Sequence, residues 1–193
     1  VVGGSGNNFS IRYRGKFNLA AGQYLITVVA DDNYRLKYGN SAANANAASY
    51  IIDTWSSGSC CATNTYTICW PGGDMYLVYE YREYTGGASV SFNIALQTVT
   101  AGSITASIPC SGDATITSSG QSGPINNYTL TGSTTHTGTY TDIVTQTSST
   151  FSVSSSSPYS WWKIRYNATC SYSTSPLSTN AVFIVPRTFT GNV

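Results

Sequence analysis

Short runs in which β-branched and aromatic residues alternate with polar ones, broken by Gly, Asn and Asp, leave this chain little architecture except antiparallel sheets. The first half carries six such runs: "FSIRYRGKF", "GQYLITVVA", "YRLKYG", "SYIIDTW", "MYLVYEYRE" and "ASVSFNIALQTV". The second half carries seven shorter ones, "ITASIPC", "DATITSS", "NNYTLTG", "GTYTDIV", "STFSVSS", "WWKIRYNATC" and "NAVFIV". "MYLVYEYRE" alternates least cleanly, which places it inside a sandwich and not at its rim. No window sustains an apolar 3.6-residue repeat. The one helix-compatible stretch, "SAANANAAS", lacks large apolar residues and reads as a loop or surface turn. The fold class is therefore all-β, with a boundary near "TVTAGSI" between two sandwich domains, residues 1–98 and 99–193.

Charge narrows the partners. Only 9% of residues are charged, against about 25% in an ordinary soluble domain. Nine basic and eight acidic residues leave a net charge of +1, and no run of Lys or Arg forms a stripe, so nucleic acid and anionic membranes are poor partners. No apolar stretch approaches the roughly 20 residues of a membrane span. The chain opens on Val, as expected of an exported product that has lost its signal peptide, and extracellular surface is the expected location.

The five cysteines, at 60, 61, 69, 110 and 170, lack the spacing of a zinc site, and His136 stands apart from them. Disulfides in an oxidising compartment are the better reading. An odd count leaves one thiol over. Cys69 is expected to pair with Cys60 or Cys61, because vicinal cysteines bond each other only with strain.

No catalytic grouping emerges, and the chain reads as a non-enzyme. His136 lies in the polar, turn-like "TTHTG", no Gly-x-Ser-x-Gly elbow follows a strand, and the N-terminal "VVGGSG" has neither the strand nor the helix of a phosphate loop. Glu80 and Glu83 fall on opposite faces of one strand. Of the four tryptophans, adjacent Trp161 and Trp162 must point to opposite faces, one of them into the core. Trp70, beside Pro71 and Gly72, is the best candidate for an exposed sugar-stacking ring, and Trp55 reads as core. Asn8, Asn127 and Asn167 fit the glycosylation acceptor pattern.

In the first half, "FSIRYRGKF", "AAGQYLITVVADDNYRLKYGN", "YIIDTW" and "MYLVYEYREYTGGASVSF" follow an order that resembles the protective-antigen type (PA-14) β-sandwich of bacterial toxins, flocculins and adhesins, over roughly residues 9–96. The resemblance implies that Asp31 and Asp32 sit at a hairpin tip, joined by a cis peptide. It also implies that they hold a calcium ion that grips glycan hydroxyls, with Asn64 and Asp74 as candidate further ligands. Calcium, wanting six to eight oxygens, suits adjacent carboxylates. The alternative is a plain turn, where Asp side chains bond the local backbone. The family opens with a further strand where this sequence has only "VVGGSGNN", which implies an unpaired edge and an open apolar groove.

The second half resembles the immunoglobulin-like modules of secreted surface proteins of Bacteroidota, on "AGSITASIPCSGDATITSSG", "YTDIVTQTSSTFSV" and "WWKIRYNATC". That resemblance implies a Cys110–Cys170 disulfide, and Leu130 stands where the family's central Trp is usual. Together the two halves lead us to expect a structural subunit of a bacterial surface filament, self-assembled by strand exchange through either terminus. The alternative is a calcium-dependent glycan-binding adhesin using Asp31 and Asp32.

Overall fold

The computed structural model describes residues 8–56, 61–110 and 112–185. The chain divides into two compact units, Val1–Gln97 and Thr98–Val193, and in both every strand pairing among the described residues is antiparallel.

The first unit contains β1 (Phe9–Leu19), β2 (Gly22–Ala30), β3 (Asn33–Gly39), α1 (Ala42–Ala47), β4 (Ile52–Asp53), β5 (Ala62–Trp70), β6 (Gly73–Glu83) and β7 (Val90–Gln97). One sheet runs β1-β6-β3-β4 and the other β5-β2-β7. Period-2 alternation sends Ile26, Val28 and Ala30 of one sheet, and Tyr34, Leu36, Leu77 and Tyr79 of the other, into a single core. Each fully buried aliphatic there contributes about 2 kcal/mol. The "MYLVYEYRE" segment lies inside its sheet, as β6 between β1 and β3.

Two local expectations are corrected. "SAANANAAS" forms a short helix, because the Ser41 hydroxyl accepts the Asn44 N–H as an N-cap and the small Ala45 is fully buried. Gly39 makes that packing possible: a Cβ there would stand 2.5 Å from the Ala45 nitrogen. The stretch between Cys61 and Asp74, read as a loop, is mostly the nine-residue strand β5, paired along its length with β2.

The second unit contains β8 (Ser103–Ser107), β9 (Ala114–Ser119), β10 (Ile125–Ser133), β11 (Thr141–Gln146), β12 (Thr150–Val153), β13 (Trp161–Ala168) and β14 (Val182–Phe183). Its sheets run β12-β9-β8 and β11-β10-β13-β14 and share a core of Ile116, Leu130, Phe151, Trp162, Ile164 and Tyr166. Trp162 is buried there, whereas Trp161, one residue earlier, lies half-buried on the other face of β13. Tyr166 brings its hydroxyl into the core, where it meets the Ser118 hydroxyl at 2.7 Å.

Cys61, Cys69 and Cys170 are disulfide-bonded, while Cys110 presents an exposed thiol, so the expected Cys110–Cys170 bridge is not formed. β8 ends at Ser107 and leaves Cys110 in the exposed turn before β9, whereas Cys170 is buried just past β13. Nor does Cys61 bond Cys69. The whole of β5 lies between them, roughly 26 Å at strand rise, and a disulfide allows about 6 Å between Cα atoms. Cys60 lies outside the described residues. No helix among the described residues is long and apolar enough to cross a membrane.

Candidate functional site

Asp31 and Asp32 do not sit at a hairpin tip. β2 and β3 belong to different sheets, and the two residues turn the corner between them. The reason is in the flanking sequence: Ala30 and Tyr34 both point into the same core, which requires the chain to cross from one layer to the other. The peptide between the two acids is trans, since the described residues contain no cis bond, and Asp32 takes a left-handed φ of 63°. Its Oδ2 accepts the backbone N–H of Tyr84 at 2.5 Å and of Thr85 at 3.2 Å, capping the end of β6. The Asp31 N–H donates to the Ser89 carbonyl at 2.9 Å. The acidic pair thus fastens the corner to the β6–β7 connection.

Glu83 shares that corner. It is fully buried, its Oε2 accepts the Tyr81 hydroxyl and its Oε1 has no hydrogen-bond partner among the described residues. Burial pushes the Glu83 carboxyl up; the Tyr81 bond pulls it down, and the nearby Asp32 and Asp31 charges push it further up. The Tyr84 N–H bond leads in holding Asp32 below its ordinary value. Among the described residues, no group of three or more His, Cys, Asp or Glu is arranged to hold a metal ion. Asp74 cannot join Asp32 in one site, because β6 carries it to the far end of the sandwich, where it pairs with Lys16 at 2.7 Å and Asn18 at 2.9 Å. Asn64 donates to the Tyr34 hydroxyl at 2.6 Å.

An opening of the first unit lies between β1 and β7. Among the described residues each is the edge of its sheet, with one hydrogen-bonded neighbour, β6 for the first and β2 for the second. Between them runs a groove of about 290 Å³ lined by Tyr13, Phe17, Leu77, Tyr79, Val90 and Phe92. Tyr13 and Val90 are 46% and 44% exposed, so core-type residues meet solvent at its mouth. Phe17 and Phe92 face each other across the gap at 6.3 Å. The buried Tyr79 hydroxyl has no hydrogen-bond partner among the described residues, and burial raises its pKa.

A second concavity, on the outer face of the β1-β6-β3-β4 sheet, escaped the sequence reading. Alternation puts Arg12, Arg14 and Lys16 of β1, Arg35 and Lys37 of β3, and Arg82 of β6 on that one face, six of the nine Lys and Arg residues. They form the stripe that no linear run revealed. Register aligns Arg12, Glu80, Arg35 and Asp53 in one row across four strands. Glu80 accepts the Arg12 Nε at 2.6 Å, the Arg35 Nε at 2.5 Å and the Tyr50 hydroxyl at 2.9 Å. Burial pushes its carboxyl up, but those three partners more than reverse the push and hold it below its ordinary value. Trp55, expected in the core, is half-buried instead, with the Arg35 and Arg82 guanidiniums 4.3 and 4.6 Å from its ring centroid.

Trp70 is 5% exposed at the end of β5, edge-on to Tyr38 in the core, and is not available to stack on a sugar. Glu80 and Glu83 occupy opposite faces of β6, the one beside Arg12 and Arg35, the other beside Tyr81. Asn167 faces Asn127 across the β10–β13 ladder and donates its Nδ2 to Asn127 Oδ1 and Thr129 Oγ1, so the atom a glycan would need is already bonded. Asn8 is exposed. His136 is exposed too, its ring 4.5 Å from that of Trp161. No family model, curated protein or solved structure matches this chain.

Proposed function

We propose that the chain is a non-catalytic structural protein of an extracellular bacterial surface assembly, in which a strand from a neighbouring copy fills the groove between β1 and β7. The groove is the observation that carries the reading. It offers two unpaired strand edges, an apolar floor and one unsatisfied hydroxyl, Tyr79, and an extended peptide satisfies all three. The favoured donor is residues 187–193, "RTFTGNV", where Phe189 and Val193 share a strand face; this segment and the competing arm 1–7 lie outside the described residues. The disulfides fit an oxidising compartment; we take the first unit as PA-14-like and the second, with sheets β12-β9-β8 and β11-β10-β13-β14, as immunoglobulin-like. A head-to-tail contact of this kind propagates as a fibre unless rotation closes it into a ring.

Deletion of residues 187–193 is expected to abolish polymers in light scattering and electron microscopy while the far-UV spectrum is retained. Val90→Glu, at the exposed mouth of the groove, is expected to do the same. Polymers that survive both changes sink the proposal, as does a monomer whose own residues 1–7 fill the groove. A second reading, calcium-dependent glycan binding at Asp31 and Asp32, rests on the adjacent carboxylates alone. Calorimetric titration with calcium chloride tests it, and a heat of binding that Asp32→Asn leaves unchanged would exclude it.

A further inference from the structure

The outer face of the β1-β6-β3-β4 sheet holds a cleft of about 260 Å³ lined by Ser10, Ile11, Arg12, Arg35, Trp55 and Glu80. We infer that this cleft binds one residue of an acidic saccharide, with the sugar carboxylate on Arg12 and Arg35 and the ring against Trp55. The inference is independent of the groove and of calcium.

Three observations carry it. The first is a surplus of donors. Each guanidinium has five N–H groups in a fixed fork; Glu80 takes the Nε of each arginine and one Nη of Arg12, and the other N–H groups of the two side chains have no acceptor among the described residues. The second is charge. Six cations on this face meet three acids, Asp53, Asp74 and Glu80, so the face carries +3 on a chain whose net charge is +1. Buried Glu80 holds the two arginines in position, 53% and 26% exposed at their side chains, so neither must be ordered when an anion arrives.

The third is size and lining. The cleft falls just under the roughly 300 Å³ at which drug-sized sites begin, which suits a single sugar ring. Its walls combine an amphipathic indole with the Ser10 hydroxyl and a carboxylate, partners for a ring with one apolar face and hydroxyls at its rim. Beside it, the buried Arg82 Nε has no acceptor among the described residues, while its Nη2 donates to the Trp55 carbonyl. A nucleic-acid backbone fits poorly, because Glu80 stands between Arg12 and Arg35, Asp53 beside Arg35, and Asp74 beside Lys16.

The test is a titration of the full chain, followed by NMR, with a galacturonate tetramer, an uncharged maltotetraose, a sulfated tetrasaccharide and a hexaglutamate peptide. The galacturonate is expected to shift the Trp55 indole signal and to bind less tightly as salt rises. Arg12→Gln should weaken it by about tenfold or more, whereas Arg14→Gln, on the same face outside the cleft, should leave it within about twofold. Thermal melts confirm that both variants fold, and Trp55→Phe offers a milder change at the wall. Equal losses in the Arg12 and Arg14 variants would reduce the effect to diffuse charge. Equal or tighter binding of maltotetraose, the sulfated sugar or the peptide would each overturn the assignment, as would no binding of galacturonate at millimolar concentration.

Discussion

Glu80 and Glu83 lie three residues apart on β6, and the structure predicts that their removal has opposite consequences. Replacing Glu80 by Gln keeps one acceptor oxygen but turns an amide donor toward a guanidinium. Breaking a fully buried ion pair costs about 3–5 kcal/mol. Here the Arg12 and Arg35 side chains are 53% and 26% exposed, so water recovers part of the loss and the expected cost falls to about 2 kcal/mol. In a unit of about 100 residues that is a drop of roughly 10 °C in Tm. Glu83→Gln keeps an acceptor for the Tyr81 hydroxyl and removes a buried charge beside Asp32 and Asp31, so at pH 7.5 its stability should equal or exceed that of the parent. The signs follow from linkage. Glu83, raised, contributes fully below the ordinary carboxyl value of 4.5 and loses that contribution as pH rises through its folded pKa. Glu80, lowered, contributes above 4.5 and loses it as pH falls through its folded pKa. The gap between the two variants is therefore widest at neutral pH and narrows on acidification. Hydrogen exchange of the β3 and β6 amides, read at pH 7.5 and again in acid, reports the first unit by itself. Equal destabilisation by the two substitutions at pH 7.5, or a greater loss from Glu83→Gln, would refute the reasoning.

Asp32→Ala removes the acceptor of two backbone N–H groups and should loosen the end of β6 by about 1 kcal/mol, seen as faster exchange of the Tyr84 and Thr85 amides with the rest of the sheet unchanged. Trp162→Ala empties the centre of the second unit and should destabilise it by about 3–5 kcal/mol, measured by denaturant unfolding; a loss below about 1 kcal/mol would mean that the core is not built around that ring.

The strands were legible because hydrophobic period is a local property, and "GQYLITVVA" declares its inner face in nine letters. β5 was not legible. In "ATNTYTICW" only Ile68 and Trp70 are large and fully buried, and the preceding vicinal cysteines with the following Pro71-Gly72 read as loop punctuation. That one omission also put Trp70 on the surface. The corner at Asp31 and Asp32 was hidden for a different reason: two strands joined by two residues read as a hairpin, and only the shared core direction of Ala30 and Tyr34 reveals a change of sheet. The cationic face was hidden because register, which no single strand specifies, brings positions 12, 35 and 82 together. Cysteine pairing is likewise a matter of three-dimensional separation, and Cys61 and Cys69, close in sequence, are held apart by the strand between them.

The pairing of β1 also sets a timetable. Its only sheet neighbour among the described residues is β6, and the paired residues run from Leu19 with Gly73 to Phe9 with Glu83, so 54 to 74 positions separate them. Chains emerge N-terminus first, at about 5–20 residues per second, and β1 therefore waits several seconds, its alternate apolar residues exposed, until its partner has been made. Pairings so distant in sequence are also slow to close. During that interval β1 is open to a strand from another molecule on both of its edges, and a donor arriving early takes the place of β6. Orderly folding then depends on keeping nascent and finished copies apart until β6 has closed the sheet.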